Sequence, residues 1–303
     1  MRQDLYVDAV LKKCDALKRA GLWAAEPKVR PKAWLGNFER DEQLTAAVLL
    51  DHFVYYSATC VDRLLATGFR NLRDELVAEH GYTEAGKLLE RAVFTRVESE
   101  TPNPTDSGNL FCRKARQILS IPERRVMEPR EALYAASEGE PVIFVDDFLG
   151  SGDQFINTWT SDYYNKAPHS FEKALVSKPF LPIYLVLLAS EKGLGRVKAD
   201  APQVKITATH VVTNDYSVKN ISKKLLLPTV PDLEQRIEQL IAKYAPKLVV
   251  PSYMNQQKWR SLGYHELGFL IAFDHSTPDA SLPILWADES SEASEWTPLV
   301  KRT

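Results

Sequence analysis

Apolar positions recur at helical spacing through the first part of the chain. Leu5, Val7, Val10, Leu11 and Leu17 fall near a 3.6-residue period, and Leu44 to Leu65 is a long apolar-rich stretch without Gly or Pro. This pattern predicts an N-terminal helical region over residues 1–90. From about residue 91 the pattern changes to short apolar runs separated by helical periods. Ala92 to Val97 reads as a strand, Glu98 to Asn109 as a polar loop with Pro102, Pro104 and Gly108, and Leu110 to Leu119 as a helix. A helix near Pro129 to Glu138 precedes the apolar run Pro141 to Val145, and a turn with two glycines then leads into a helix over Phe155 to Tyr164. Ile183 to Leu188 and Val204 to Val212 are further strands, Pro231 to Tyr244 a helix, and Leu248 to Val250 and Leu267 to Phe273 short strands. Near-continuous apolar strands alternating with helices predict an α/β domain over 91–286 with a mainly parallel sheet covered on both faces. Residues 287–303 are acidic and serine-rich, and are expected to form a flexible tail.

Composition narrows the class without naming it. With 45% hydrophobic and 26% charged residues, 18 prolines and 13 glycines, the chain is an ordinary globular protein and not disordered, collagenous or coiled-coil. Its 303 residues allow one large domain or two smaller ones. Lys plus Arg total 38 against 40 Asp plus Glu, and the resulting net charge of -2 does not indicate nucleic acid as the main partner. Cys14, Cys60 and Cys112 lie far apart without CxxC or Cys/His ligand spacing, so a disulfide framework and a zinc site are not expected and a cytoplasmic setting fits. The first thirty residues carry Lys12, Lys13, Lys18, Arg19 and several acids without a continuous apolar core, and no run of about 18 apolar residues occurs, so neither a signal peptide nor a membrane span is expected.

The candidate chemistry lies after the Pro141 to Val145 run. Val142, Ile143, Phe144 and Val145 lead into Asp146 and Asp147, followed by Phe148, Leu149, Gly150, Ser151, Gly152, Asp153 and Gln154. A buried parallel strand that ends in two carboxylates delivers them to the carboxyl edge of the sheet, where open α/β sheets bind ligands. Glycines in the next turn let backbone N–H groups approach a phosphate, and a helix N-terminus favours its charge. Carboxylates accept hydrogen bonds from sugar hydroxyls or hold a hard cation such as Mg²⁺. The unit is thus suited to a phosphorylated ribose. An ordinary turn with two solvated acids is the alternative.

This arrangement resembles the 5-phosphoribosyl-1-pyrophosphate (PRPP) signature of type I phosphoribosyltransferases. The sequence departs from that signature at Phe148, Gly150 and Gln154, and Asp153 puts a negative charge beside the expected phosphate. A second segment, Thr277-Pro278 through Leu282-Pro283 to Trp286, together with DDFLGSGDQ, is similar to a phosphoribosyltransferase-like group associated with bacterial conflict and anti-phage defence. The resemblance implies a type I phosphoribosyltransferase fold and a PRPP, ribose-phosphate or nucleotide ligand. Asp146 and Asp147 would serve the ribose and Mg²⁺, and residues 150–154 the 5-phosphate. It also implies phosphoribosyl transfer if the chain is an enzyme, and a protein partner from a defence system. A non-catalytic nucleotide-sensing or partner-binding module is the alternative.

Other constellations are weaker. Ser107, Gly108 and Asn109 would supply a pyrophosphate-binding turn, with Arg113 and Arg116 neutralising its charge; a solvated loop is the other reading. His275, after the strand ending at Phe273, would belong to a lid over the ligand if that strand joins the main sheet, and otherwise to a packing anchor. Gly81, Gly86 and Lys87 give the start of a P-loop, but Leu88 lacks the hydroxyl and no apolar strand precedes it. There is no HExxH and no GxSxG.

Overall fold

The computed structural model describes residues 3–98, 107–163, 169–221, 232–254, 256–287 and 296–301. In chain order the elements begin with α1 (Gln3–Arg19), α2 (Pro31–Leu35), α3 (Gln43–His52), β1 (Val54–Tyr56), α4 (Ala58–His80) and α5 (Tyr82–Arg91). Next come β2 (Val93–Arg96), α6 (Ser107–Ile118), α7 (Pro129–Ser137), β3 (Val142–Leu149), α8 (Asp153–Thr160) and α9 (Phe171–Ser177). The last are β4 (Pro182–Ser190), α10 (Glu191–Asp200), β5 (Lys205–Val212), α11 (Leu233–Tyr244), α12 (Gln257–Leu262) and β6 (Ile271–Phe273). Two compact units result, one of Thr59–Val212 and one of Met1–Ala58 with Thr213–Thr303. The boundary expected near residue 90 falls inside the first of these, between α5 and β2. Among the described residues no helix is long and apolar enough to cross a membrane.

The Thr59–Val212 unit is built on a parallel sheet in the order β2-β3-β4-β5. The two inner strands explain the near-continuous apolar runs, since β4 is buried along its whole length and β3 nearly so. β5, at an edge, is only half-buried. One face packs on α7 to α10 through an aromatic core. Phe144 meets Phe155 and Phe171 edge-on at 5.4 and 4.8 Å, and Phe155 stacks on Tyr184 at 4.2 Å. Such pairs add to the stabilisation that burial already gives. β3 outlasts its apolar run because β4 keeps pairing with it, Asp146 opposite Val186 and Leu149 opposite Ala189.

The other unit holds a second sheet of two strands, with β1 parallel to β6 and Tyr55 opposite Ala272. β1 interrupts a stretch that apolar spacing alone reads as helix. Val54, Tyr55 and Tyr56 are strand formers, and Phe53 is already extended at φ −69° and ψ 129°. The expected strand over Leu267 to Phe273 is shortened to Ile271–Phe273, and it pairs with β1 and not with the four-stranded sheet.

Part of the stretch expected to be a flexible tail is packed. Trp296, Leu299 and Val300 are buried, and Val300 bridges Val29. Asn37 Nδ2 donates to Thr297 O at 2.7 Å, and Thr297 N–H donates to Asn37 Oδ1 at 2.9 Å. Trp296 packs edge-on against Phe38 at 5.6 Å. Residues 288–295 lie outside the described residues. Trp296→Ala is therefore expected to cost about 3–5 kcal/mol of stability, read by chemical denaturation. A denaturation midpoint equal to wild type would show that this segment is not part of the core.

Candidate functional site

Asp146 and Asp147 lie within β3 and are 5% and 6% exposed. They are therefore buried strand residues, where the sequence pattern had placed them just past the strand's end. Asp146 Oδ2 accepts the Tyr184 hydroxyl at 2.8 Å, and Oδ1 accepts the Asp147 N–H at 2.9 Å. Both oxygens are engaged within the protein. Burial, and next the neighbouring charge of Asp147, push the Asp146 carboxyl well above its ordinary 3.8, although the Tyr184 bond pulls the other way. Tyr184, buried beside the two acids, is likewise pushed well above its ordinary 10.0.

A raised acid pKa has a defined sign in stability. The folded state binds the proton more tightly than the unfolded one, so the favourable contribution is full below the ordinary carboxylate range and is lost as pH rises through the raised value. Asp146→Asn, which cannot ionise, is expected to melt progressively higher relative to wild type as pH is raised from 5 to 8, by about 2–4 °C for each kcal/mol relieved. Melting curves across that range check it. A difference that is constant with pH would mean Asp146 is already ionised in the fold.

After β3 the chain turns through Gly150, Ser151 and Gly152 into α8. Gly152, at φ 93°, is the N-cap of that helix in the left-handed region that a glycine occupies without strain. Ser151 Oγ donates to Asp153 Oδ2 at 2.9 Å and accepts the Asp153 N–H at 3.2 Å. Among the described residues no acceptor bonds the N–H groups of Ser151, Gly152 or Gln154. The helix after β4, α10, docks on the turn. Ser190 Oγ donates to Gly150 O and accepts the Gly193 N–H at 2.9 Å. Gly193 allows this approach, since a Cβ there would stand 2.6 Å from Gly150 O and 2.7 Å from Leu149 Cγ. Arg196, one turn further on, lies against Gly152 and places Nη1 3.6 Å from Asp153 Oδ1.

The end of β2 is tied to the same helix. Glu98 N–H donates to Thr158 Oγ1 at 2.9 Å, Tyr163 OH donates to Glu98 Oε2 at 2.8 Å, and Arg96 lies 3.5 Å from Glu98 Oε1. Residues 99–106 of the expected polar loop lie outside the described residues. Ser107, Gly108 and Asn109 form the first turn of α6, and Gly108 packs against Arg96 and Val97 at the carboxyl end of β2. Arg113 and Arg116 follow about 8 and 12 Å along that helix from Gly108. Arg116 pairs with Glu123 at 3.3 Å. The structure thus brings Ser107 to Asn109 to the carboxyl edge and carries the two arginines away from it.

His275 follows β6 and belongs to the other unit. The argument that made it a lid required its strand to join the four-stranded sheet, and that pairing does not occur. Its ring lies 5.2 Å from that of Phe273, while Leu285 and Trp286 are buried and Trp286 Nε1 donates to Ser281 O at 3.0 Å.

Tyr184, Gly193, Arg196 and Glu98 were not legible as site residues. The run Ser190, Glu191, Lys192, Gly193 after a buried strand carries a weak signal, an N-cap serine with a glycine one turn on.

A parallel sheet covered by helices, with paired acids on an inner strand and a glycine turn feeding a helix, defines a phosphoribosyltransferase-like α/β protein. The family model described as PRTase-CE matches residues 31–302, and the chain belongs to that phosphoribosyltransferase-like family. No curated protein matches the sequence.

Proposed function

We propose that the chain binds PRPP, or a nucleotide or other phosphorylated ribose, at the β3–α8 junction and transfers the phosphoribosyl group. In this reading the 5-phosphate accepts hydrogen bonds from the N–H groups of residues 150–154. The observation that carries it is the set of N–H groups at Ser151, Gly152 and Gln154 without an acceptor among the described residues, at the head of a helix beside a carboxylate pair. Asp147 is the acid that meets the ribose hydroxyls. Asp146, whose oxygens both accept hydrogen bonds within the protein, positions the strand end beside it.

Transfer needs little proton chemistry. An acceptor's lone pair forms the new bond at the anomeric carbon as the bond to pyrophosphate breaks, and carboxylate charge stabilises the cationic ribose between them. Among the described residues no group of three or more metal-ligating side chains exists. Mg²⁺ would be bound chiefly through ligand phosphates and water, with Asp147 and Asp146 as its protein ligands. The cation would offset the diphosphate charge.

The carboxylate of Asp153 within the loop favours a second reading, a module that senses the ligand without turning it over. Calorimetry with PRPP, ribose 5-phosphate and a nucleoside monophosphate, each with and without Mg²⁺, tests binding. Release of pyrophosphate from bound PRPP separates the two readings. If none of these ligands binds, the proposal fails. A role in anti-phage defence with a protein partner belongs to the same proposal, and plaque counts on cells carrying the wild type or Asp147→Asn test it.

A further inference from the structure

Asp153 brings a negative charge into the loop that the proposed function gives to a phosphate. A positive group from a different helix stands against it. The docking of α10 through Ser190 and Gly193 fixes where that group lies, and the stem of Arg196 covers Gly152, its Cγ and Cβ 3.0 and 3.1 Å from the position a Gly152 Cβ would take. Arg196 Nε donates to Asp200, four residues on in the same helix. This bond orients the guanidinium with Nη1 toward Asp153 Oδ1 at 3.6 Å, while the other oxygen of Asp153 accepts the Ser151 hydroxyl at 2.9 Å.

We propose that Arg196 is a specificity-determining residue of this site: it offsets part of the charge of Asp153 and donates to the ligand phosphate, so that the loop selects phosphorylated over unphosphorylated ribose. The proposal rests on the functional reading above. Its physical basis is a competition. The Arg196 side chain is 46% exposed and its contact with Asp153 is long, and exposed pairs of this kind are weak. A phosphate offers the guanidinium shorter, charge-assisted and forked hydrogen bonds. With Arg196 in place, part of the Asp153 charge is offset before the ligand arrives, and the helix N-terminus can act. Asp200, which accepts from Arg196 Nε, is then a positioning residue.

The test is calorimetric titration of the full chain with ribose 5-phosphate, using ribose as the unphosphorylated control. Arg196→Gln is expected to weaken ribose 5-phosphate binding by about tenfold or more, because a hydrogen bond to a charged group is lost. Asp153→Asn is expected to tighten it, and Arg196→Gln is expected to cost less in the Asp153→Asn background than in wild type. Arg196→Lys should recover part of the loss. Melting temperatures of each variant check folding, which an exposed side chain should leave intact. Binding by Arg196→Gln equal to wild type overturns the proposal and leaves the loop reading standing. Absence of binding by the wild type to both ribose 5-phosphate and PRPP removes the functional reading itself, and this inference with it.

Discussion

Asp147→Asn is expected to lower affinity for PRPP by about a hundredfold while leaving the melting temperature at or above that of wild type. The two halves of this result come from different interactions. An ionised carboxylate that accepts from two ribose hydroxyls, or touches a ligand-bound cation, loses two charge-assisted bonds when it becomes an amide. Stability moves the other way, because the charge of Asp147 is one of the causes that hold the buried Asp146 carboxyl above its ordinary range, and removing it relieves that repulsion. Calorimetry and thermal melts on the same preparation check both halves. A collapse in melting temperature with binding unchanged would make Asp147 a structural residue.

The second large effect belongs to a residue with no functional group. Gly193→Ala is expected to destabilise the chain by about 1–3 kcal/mol and to reduce ligand affinity at least tenfold. The new methyl would stand 2.6 Å from the Gly150 carbonyl and 2.7 Å from Leu149 Cγ, so either α10 lifts from the loop or the loop shifts. Either movement disturbs the amides that receive the phosphate and the reach of Arg196. Gly195→Ala is the matched control, because a Cβ there meets nothing within 4 Å in the same helix. Equal behaviour of the two variants, measured by denaturation and by titration, would show that the close approach is not required.

The inner strands were legible because a strand covered on both faces must be apolar throughout, as Val142 to Val145 and Ile183 to Leu188 are. The turn was legible because Gly150 and Gly152 sit between such a strand and a helix. What local pattern does not carry is pairing. β3 continues through Asp146 and Asp147 because β4 continues beside it, and no property of the two acids announces that neighbour. The short strand at Val54–Tyr56 is hidden for the same reason, since its partner lies more than 200 residues away at Ile271–Phe273. The lid assigned to His275 depended on which strand β6 would join. Arg196 is 43 residues from Asp153, and only the close packing at Gly193 puts them together.

The most direct test of the central claim is a crystal structure of the full chain with PRPP and Mg²⁺. The account predicts the 5-phosphate oxygens within about 3 Å of the Ser151, Gly152 and Gln154 nitrogens, with the ribose hydroxyls at Asp147. Ligand bound elsewhere on the chain, with these three N–H groups still unbonded, would contradict it.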